Sequence, residues 1–157
     1  MEEKILYGID ARQALLRGAA QLANVAKITL GPCGRNVVLN RHFGVPLVTN
    51  DGATIAKEIF LPDVFENMGA QLVTSASLKT NNLVGDGTTS AIVLTYAMME
   101  ESVRLVEAGY NPIRLREGMQ HALKTAEKAI TSISAPVRGK KDIAKVASIS
   151  SGSEEIG

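Results

Sequence analysis

The chain has 157 residues, with 45% apolar and 21% charged side chains and a formal net charge of +1. That length supports about one domain with a packed core, and the near-neutral balance gives no global field toward nucleic acid or an anionic membrane. A single cysteine, Cys33, excludes an internal disulfide framework or multi-cysteine metal site, and no signal-peptide pattern or long apolar run occurs, so the expectation is a soluble, cytoplasmic protein with no membrane or nucleic-acid partner.

The elements read mainly as helices. Residues 10–28 carry Ala11, Leu15, Ala19, Leu22 and Ala26 at helical spacing, and Asp10 with Gln13 has the form of a capping box at the start. The glycine-rich stretch TLGPCGRN, residues 29–36, ends this helix. NVVLN and VPLVT follow as short β-branched runs around RHFG, which predicts a small hairpin. Asp51-Gly52 opens a short helix over ATIAKEI. Asp63 and Glu66, after Pro62, form a second capping-box pattern, and the helix they start should run to about Asn82 with Phe65, Met68, Leu72 and Ala76 as its buried stripe. A further helix is expected from Thr88 to Glu107. Gly109 reads as its stop, and Asn111-Pro112 as the cap and first residue of a helix that aligns Leu115, Met119, Ala122, Ala126, Ile130 and Ile133. SAPVRGK, residues 134–140, is the one convincing linker, and KDIAKVASIS gives a last short helix.

Familiar chemical motifs are missing. There is no G-x-x-x-x-G-K-[ST], no G-x-G-x-x-G and no H-E-x-x-H, and His42 and His121 read as surface or packing residues. Gly85-Asp86-Gly87-Thr88-Thr89-Ser90 is different in kind. Its two glycines let the backbone approach a ligand, and the helix behind it offers free N–H groups and the positive end of its dipole to a phosphate. Three hydroxyls add donors, and Asp86 offers a hard oxygen to Mg²⁺. The competing reading is an N-cap aspartate with ordinary helix-start chemistry. Thr29-Leu30-Gly31-Pro32-Cys33-Gly34 is a second glycine loop, suited to close backbone approach or to a plain C-cap turn. Thr49-Asn50-Asp51-Gly52 places a carboxylate where Asp51 could cap the short helix or orient a water near a phosphate. The residues alone leave these pairs open.

Taken together, TLGPCGRNVVL, TNDGATIAKEI, FENMGAQLV and GDGTTSAIVL, in this order and spacing, resemble the N-terminal half of the ATP-binding domain of group I (GroEL-type) chaperonins. The resemblance runs from Tyr7 to Gly157. It implies a mainly α fold, an equatorial-domain-like helical bundle with a small β-hairpin, over residues 1–133. Residues 134–157 would begin the intermediate domain, with the remainder of that domain, the apical domain and the returning equatorial segment outside this sequence.

By position, the resemblance implies that Thr29, Leu30, Gly31 and Pro32 line the nucleotide, with Asn50 beside them. Asp86 would hold Mg²⁺, Gly87, Thr88, Thr89 and Ser90 would surround the phosphates, and Asp51 would position the hydrolytic water. The implied cofactors are ATP and Mg²⁺, with K⁺ admitted beside them. The implied partners are other subunits in a ring-shaped homo-oligomer, unfolded polypeptide clients and a co-chaperonin cap. The implied activity is ATP hydrolysis driving protein folding by a full-length subunit, and the 157 residues alone are expected to be inactive. Cys33 and Asn50 stand where many group I members carry lysine. A second reading is a shortened, non-catalytic module that docks on other subunits. A third is a helical scaffold whose loops are only caps.

Overall fold

The computed structural model describes residues 5–40, 44–151 and 153–156, so the hairpin tip with His42 lies outside the described residues. Six helices and one antiparallel strand pair follow in the order α1 (Gly8–Lys27), β1 (Val37–Leu39), β2 (Leu47–Thr49), α2 (Gly52–Glu58), α3 (Val64–Val84), α4 (Thr88–Glu107), α5 (Pro112–Ile133) and α6 (Gly139–Ser151) among those residues. The fold is mainly α with a small hairpin, in which Val38 pairs with Val48 and Val37 with Thr49. The chain divides into two units, Met1–Pro112 and Ile113–Gly157. None of the helices is long and apolar enough to cross a membrane, among the described residues.

The first unit owes its packing to small residues. Its core joins Ala19, Leu22, Ala23 and Ala26 of α1 to Ile55 and Ala56 of α2, Ala70 and Val73 of α3 and Ile92 of α4. Alanines at helical spacing let helices approach closely, and two glycines take this further. A Cβ on Gly18 would sit 2.7 Å from Glu66 Cα, and one on Gly69 would sit 2.8 Å from Leu15 Cα. The α1–α3 crossing is therefore backbone against backbone, a separation that no side chain at either glycine could occupy. Rim contacts hold its angle, with Arg17 Nε and Gln21 Nε2 donating to the two Glu66 oxygens at 2.8 and 2.7 Å.

That crossing displaces two expectations. The buried face of α3 is Asn67, Gly69, Ala70, Val73 and Ser77, while Met68 and Leu72, assigned to the stripe from periodicity, are about half exposed at 50% and 54%. Glycine contact selects the small-residue face and turns the larger apolar side chains outward. At the start of α1, Asp10 is inside the first turn and the helix begins at Gly8 with no side-chain cap. Gln13 does not complete a capping box; its Nε2 donates to Glu107 Oε1 at 2.8 Å. The second box is half formed. Asp63 accepts from the Phe65 and Glu66 amides at 3.0 and 2.9 Å, and the Glu66 carboxylate is occupied by α1 instead.

The second unit is built differently. Neither α5 nor α6 has a buried residue, although α5 carries the stripe its spacing predicts, with Ile130 64% and Ile133 83% exposed. His121 is exposed on α5.

Candidate functional site

Three separate stretches of the first unit close around one pocket of about 260 Å³: Thr29, Leu30 and Gly31 after α1, Asn50, Asp51 and Gly52 between β2 and α2, and Asp86 to Ser90 between α3 and α4. Ten of the eleven residues singled out in the sequence line it, and Pro32 does not. The volume falls just under the ~300 Å³ at which pockets for drug-sized ligands begin, and Leu30 is the one large apolar side chain in the wall among the described residues. A ligand seated here would be polar and compact at this end, in the manner of a phosphate group with its cation.

Each wall has a local cause. Beyond α1, Thr29 Oγ1 donates to Ala26 O at 2.8 Å, and Gly31 turns through a left-handed conformation at φ 80°. Gly34 N returns to Gly31 O at 2.9 Å and Arg35 N to Ile28 O at 3.0 Å, so the loop is a tight, internally bonded turn. The α3–α4 wall depends on glycine more strictly. Gly85 and Gly87 have φ of 71° and 77°, in the left-handed region that favours glycine, and they bracket Asp86. Behind the loop, the buried Ser77 of α3 donates from Oγ to Thr88 O at 3.3 Å and ties the first residue of α4 to the core.

The two aspartates do different things. Asp86 Oδ1 accepts from the adjacent Gly87 N at 2.6 Å, and α4 starts from Gly87 with no side-chain cap. The N-cap reading of Asp86 is therefore not the one adopted, and the first-turn amides of Thr88, Thr89 and Ser90 are left without a capping side chain beside the pocket. Asp51 is a true cap. Its Oδ1 accepts from Ala53 N at 3.4 Å, and its Oδ2 accepts from Thr54 N at 2.8 Å and Thr54 Oγ1 at 2.5 Å. Partial burial tends to raise its pKa, but the Thr54 hydroxyl, the Thr54 and Ala53 amides and the nearby Lys57 charge outweigh this, holding the carboxyl below the usual 3.8. Asp51 is thus an ionised acceptor at neutral pH rather than a strong base.

Gly52 is the residue that sequence reasoning passed over. A Cβ there would sit 2.7 Å from Thr89 N and 3.0 Å from Thr88 Oγ1. Only glycine lets the start of α2 abut the start of α4. The available signal was a glycine at the first position of a helix, where its helix propensity is poor.

The charge balance of the wall limits what it can hold. Among the described residues it carries two carboxylates, Asp51 and Asp86, and no lysine or arginine. A polyphosphate would be repelled unless a divalent cation came with it. No group of three or more His, Cys, Asp or Glu side chains able to cage a metal exists among the described residues. A pair of carboxylates in the wall fits the ligand demand of Mg²⁺, which keeps several waters and takes one or two carboxylates together with substrate phosphates. Asp86, exposed and with Oδ2 unengaged among the described residues, has the donor chemistry for it. Cys33 is exposed and lies outside the lining. Residues 22–157 match the model of the TCP-1/cpn60 chaperonin family.

Proposed function

Because the chain belongs to the TCP-1/cpn60 chaperonin family, we propose that it carries the Mg-ATP site of a group I chaperonin subunit. In this reading ATP binding and hydrolysis drive the encapsulation and release of unfolded polypeptide by a ring of such subunits with its co-chaperonin cap. The observation that carries it is the convergence of three sequence-distant loops on one polar pocket at the uncapped start of α4.

The residues divide the work by chemistry. Amides and hydroxyls of Gly87, Thr88, Thr89 and Ser90 receive phosphate oxygens, aided by the α4 dipole. Thr29, Leu30 and Gly31 bring a second backbone wall against the nucleotide, and Asn50 contributes an uncharged amide where lysine is common. Asp86 holds Mg²⁺, with K⁺ admitted beside it by the resemblance. A bound Mg²⁺ neutralises phosphate charge and polarises the phosphoryl oxygens. Asp51 accepts a hydrogen bond from the attacking water and orients it toward the phosphorus, the contribution expected where catalysis is mainly positioning.

The test is Mg²⁺-dependent ATP binding by calorimetry, with Asp86→Ala beside the wild type. Loss of the metal-dependent part, with helical circular dichroism unchanged, is the expected result. Binding that ignores the substitution removes Asp86 from the metal. A second reading, a non-catalytic module docking on other subunits, is favoured by the exposed apolar residues of α5, and it predicts association with those subunits that is indifferent to nucleotide and to Asp86→Ala.

A further inference from the structure

The Asp51 carboxylate is held unevenly, and the asymmetry comes from one residue, Thr54, through both its amide and its hydroxyl. A carboxylate has about four lone-pair sites, two on each oxygen. Oδ2 receives two short bonds, 2.8 Å from Thr54 N and 2.5 Å from Thr54 Oγ1, and is filled. Oδ1 receives only a long bond, 3.4 Å from Ala53 N, and keeps capacity for another donor. The two amide bonds explain the cap by themselves, since satisfying the first amides of a helix is all that capping requires. The hydroxyl bond is an addition that the cap does not need. Together with the short Thr54 amide bond it fills Oδ2, and Oδ1, with its one long bond, remains the oxygen able to accept from a water in the pocket that Asp51 lines.

We infer that Thr54 is a positioning residue for hydrolysis: its hydroxyl locks the Asp51 carboxylate about its own axis so that Oδ1 is the oxygen offered to the attacking water. The inference rests on the proposed role of Asp51, and extends the site to a side chain that is not in the pocket wall. A carboxylate free to exchange its two oxygens spends part of its time with the donor-filled edge toward the substrate. A hydroxyl anchor removes that freedom, in the way that a third group orients the base in other catalytic arrangements. Thr54 is half-buried, which suits a residue acting from behind the wall.

The experiment uses the assembled subunit and six proteins: wild type, Thr54→Val, Thr54→Ser, Asp51→Asn, Asp51→Ala and the Thr54→Val/Asp51→Asn double variant. Valine keeps the volume and the backbone amide bond and deletes only the hydroxyl, while serine restores it. For Thr54→Val the expected result is a fall of about tenfold in turnover, the scale for losing a hydrogen bond to a charged group, with the Kd for Mg-ATP unchanged. Thr54→Ser should recover most of it. Thr54→Val added to Asp51→Asn should cost nothing further, because the two residues act through one step. A readout independent of turnover is the Thr54 hydroxyl proton, which should exchange slowly by NMR in the ligand-free wild type and not in Asp51→Ala.

The outcomes separate cleanly. If Asp51→Asn abolishes turnover and Thr54→Val matches wild type, Thr54 only caps, and the proposed function stands without it. If Thr54→Val weakens Mg-ATP binding as much as turnover, and does so equally in the Asp51→Asn background, its role is structural and the inference fails. A hydroxyl proton in fast exchange in the wild type overturns the lock directly. If Asp51→Asn leaves turnover intact, or the wild type does not turn over Mg-ATP, the proposed function fails first and the inference falls with it.

Discussion

The starts of α2 and α4 open on the same pocket and treat their free amides in opposite ways. At α2, Asp51 takes two backbone amides and one hydroxyl, so the helix end is closed by its own chain. At α4, Gly87 occupies the cap position at φ 77° and offers no side chain, while the neighbouring Asp86 turns back onto the Gly87 amide. An uncapped helix start is normally a loss of about 1 kcal/mol. One kept beside a closed one, over a polar pocket, leaves its first amides held in place and not yet spent, the feature on which the proposed phosphate site rests. The pair teaches that an aspartate before a helix is ambiguous until its acceptor geometry is known.

The most disruptive way to break this comparison is to force the two ends apart. Gly52→Ala should drive a methyl group into Thr89 N and the Thr88 hydroxyl. Overpacking of this kind costs about 1–3 kcal/mol, and the separation should also weaken Mg-ATP binding. Urea unfolding and calorimetry on the same variant would show both losses. A variant as stable as wild type with unchanged binding would mean that the two ends are not held in contact in solution.

Next in size is Gly87→Ala, which keeps the site's chemistry and changes only the backbone. An L-residue at φ 77° should cost about 1–2 kcal/mol, visible as a lower urea midpoint. A sharper test swaps the aspartates. Asp51→Ala removes a cap and should cost about 1 kcal/mol, while Asp86→Ala removes none and should stay within about 0.5 kcal/mol of wild type. Equal losses would mean that Asp86 caps α4 in solution, contrary to the single Gly87 bond.

Much of this was legible in the sequence, for identifiable reasons. α4 runs from Thr88 to Glu107, the span that a glycine-bracketed start and Gly109 predict. The three pocket loops declared themselves through glycine and aspartate at helix boundaries. What was not legible depends on distance between elements. Periodicity put Met68 and Leu72 inside α3, because it scores hydrophobicity and not how near the next backbone comes; Gly18 and Gly69 decide that, and they select the opposite face. Gly52 was missed for the same reason, its necessity lying in Thr89, 37 positions along the chain. Asp10 does not cap α1 because the helix already begins at Gly8, and Gln13, the other half of the expected box, is engaged by Glu107 at the far end of α4. In α5 the stripe was read correctly and still did not predict burial, since an amphipathic pattern states a preference and not the presence of a covering surface.

The smallest expected effect is also the most specific to the closed end. Asp51 titrates below 3.8 in the folded chain because the Thr54 hydroxyl, the two amides and Lys57 outweigh its partial burial. A carboxyl with a depressed folded-state pKa stabilises the fold fully above its unfolded value, and that contribution disappears as pH falls through the folded value. Asp51→Asn retains a capping side chain and removes the charge, so its urea midpoint should lie slightly below wild type at about pH 7 and converge with it below about 3.8. Asp51→Ala should behave otherwise at low pH. It lacks the cap whether or not the wild-type carboxyl is protonated, and a protonated carboxyl can still accept from the Thr54 amide, so a residual gap should persist. Parallel midpoints for Asp51→Asn and wild type across the whole range would show that charge contributes nothing at this helix start, leaving neutral hydrogen-bond geometry as the whole of the difference between the two ends.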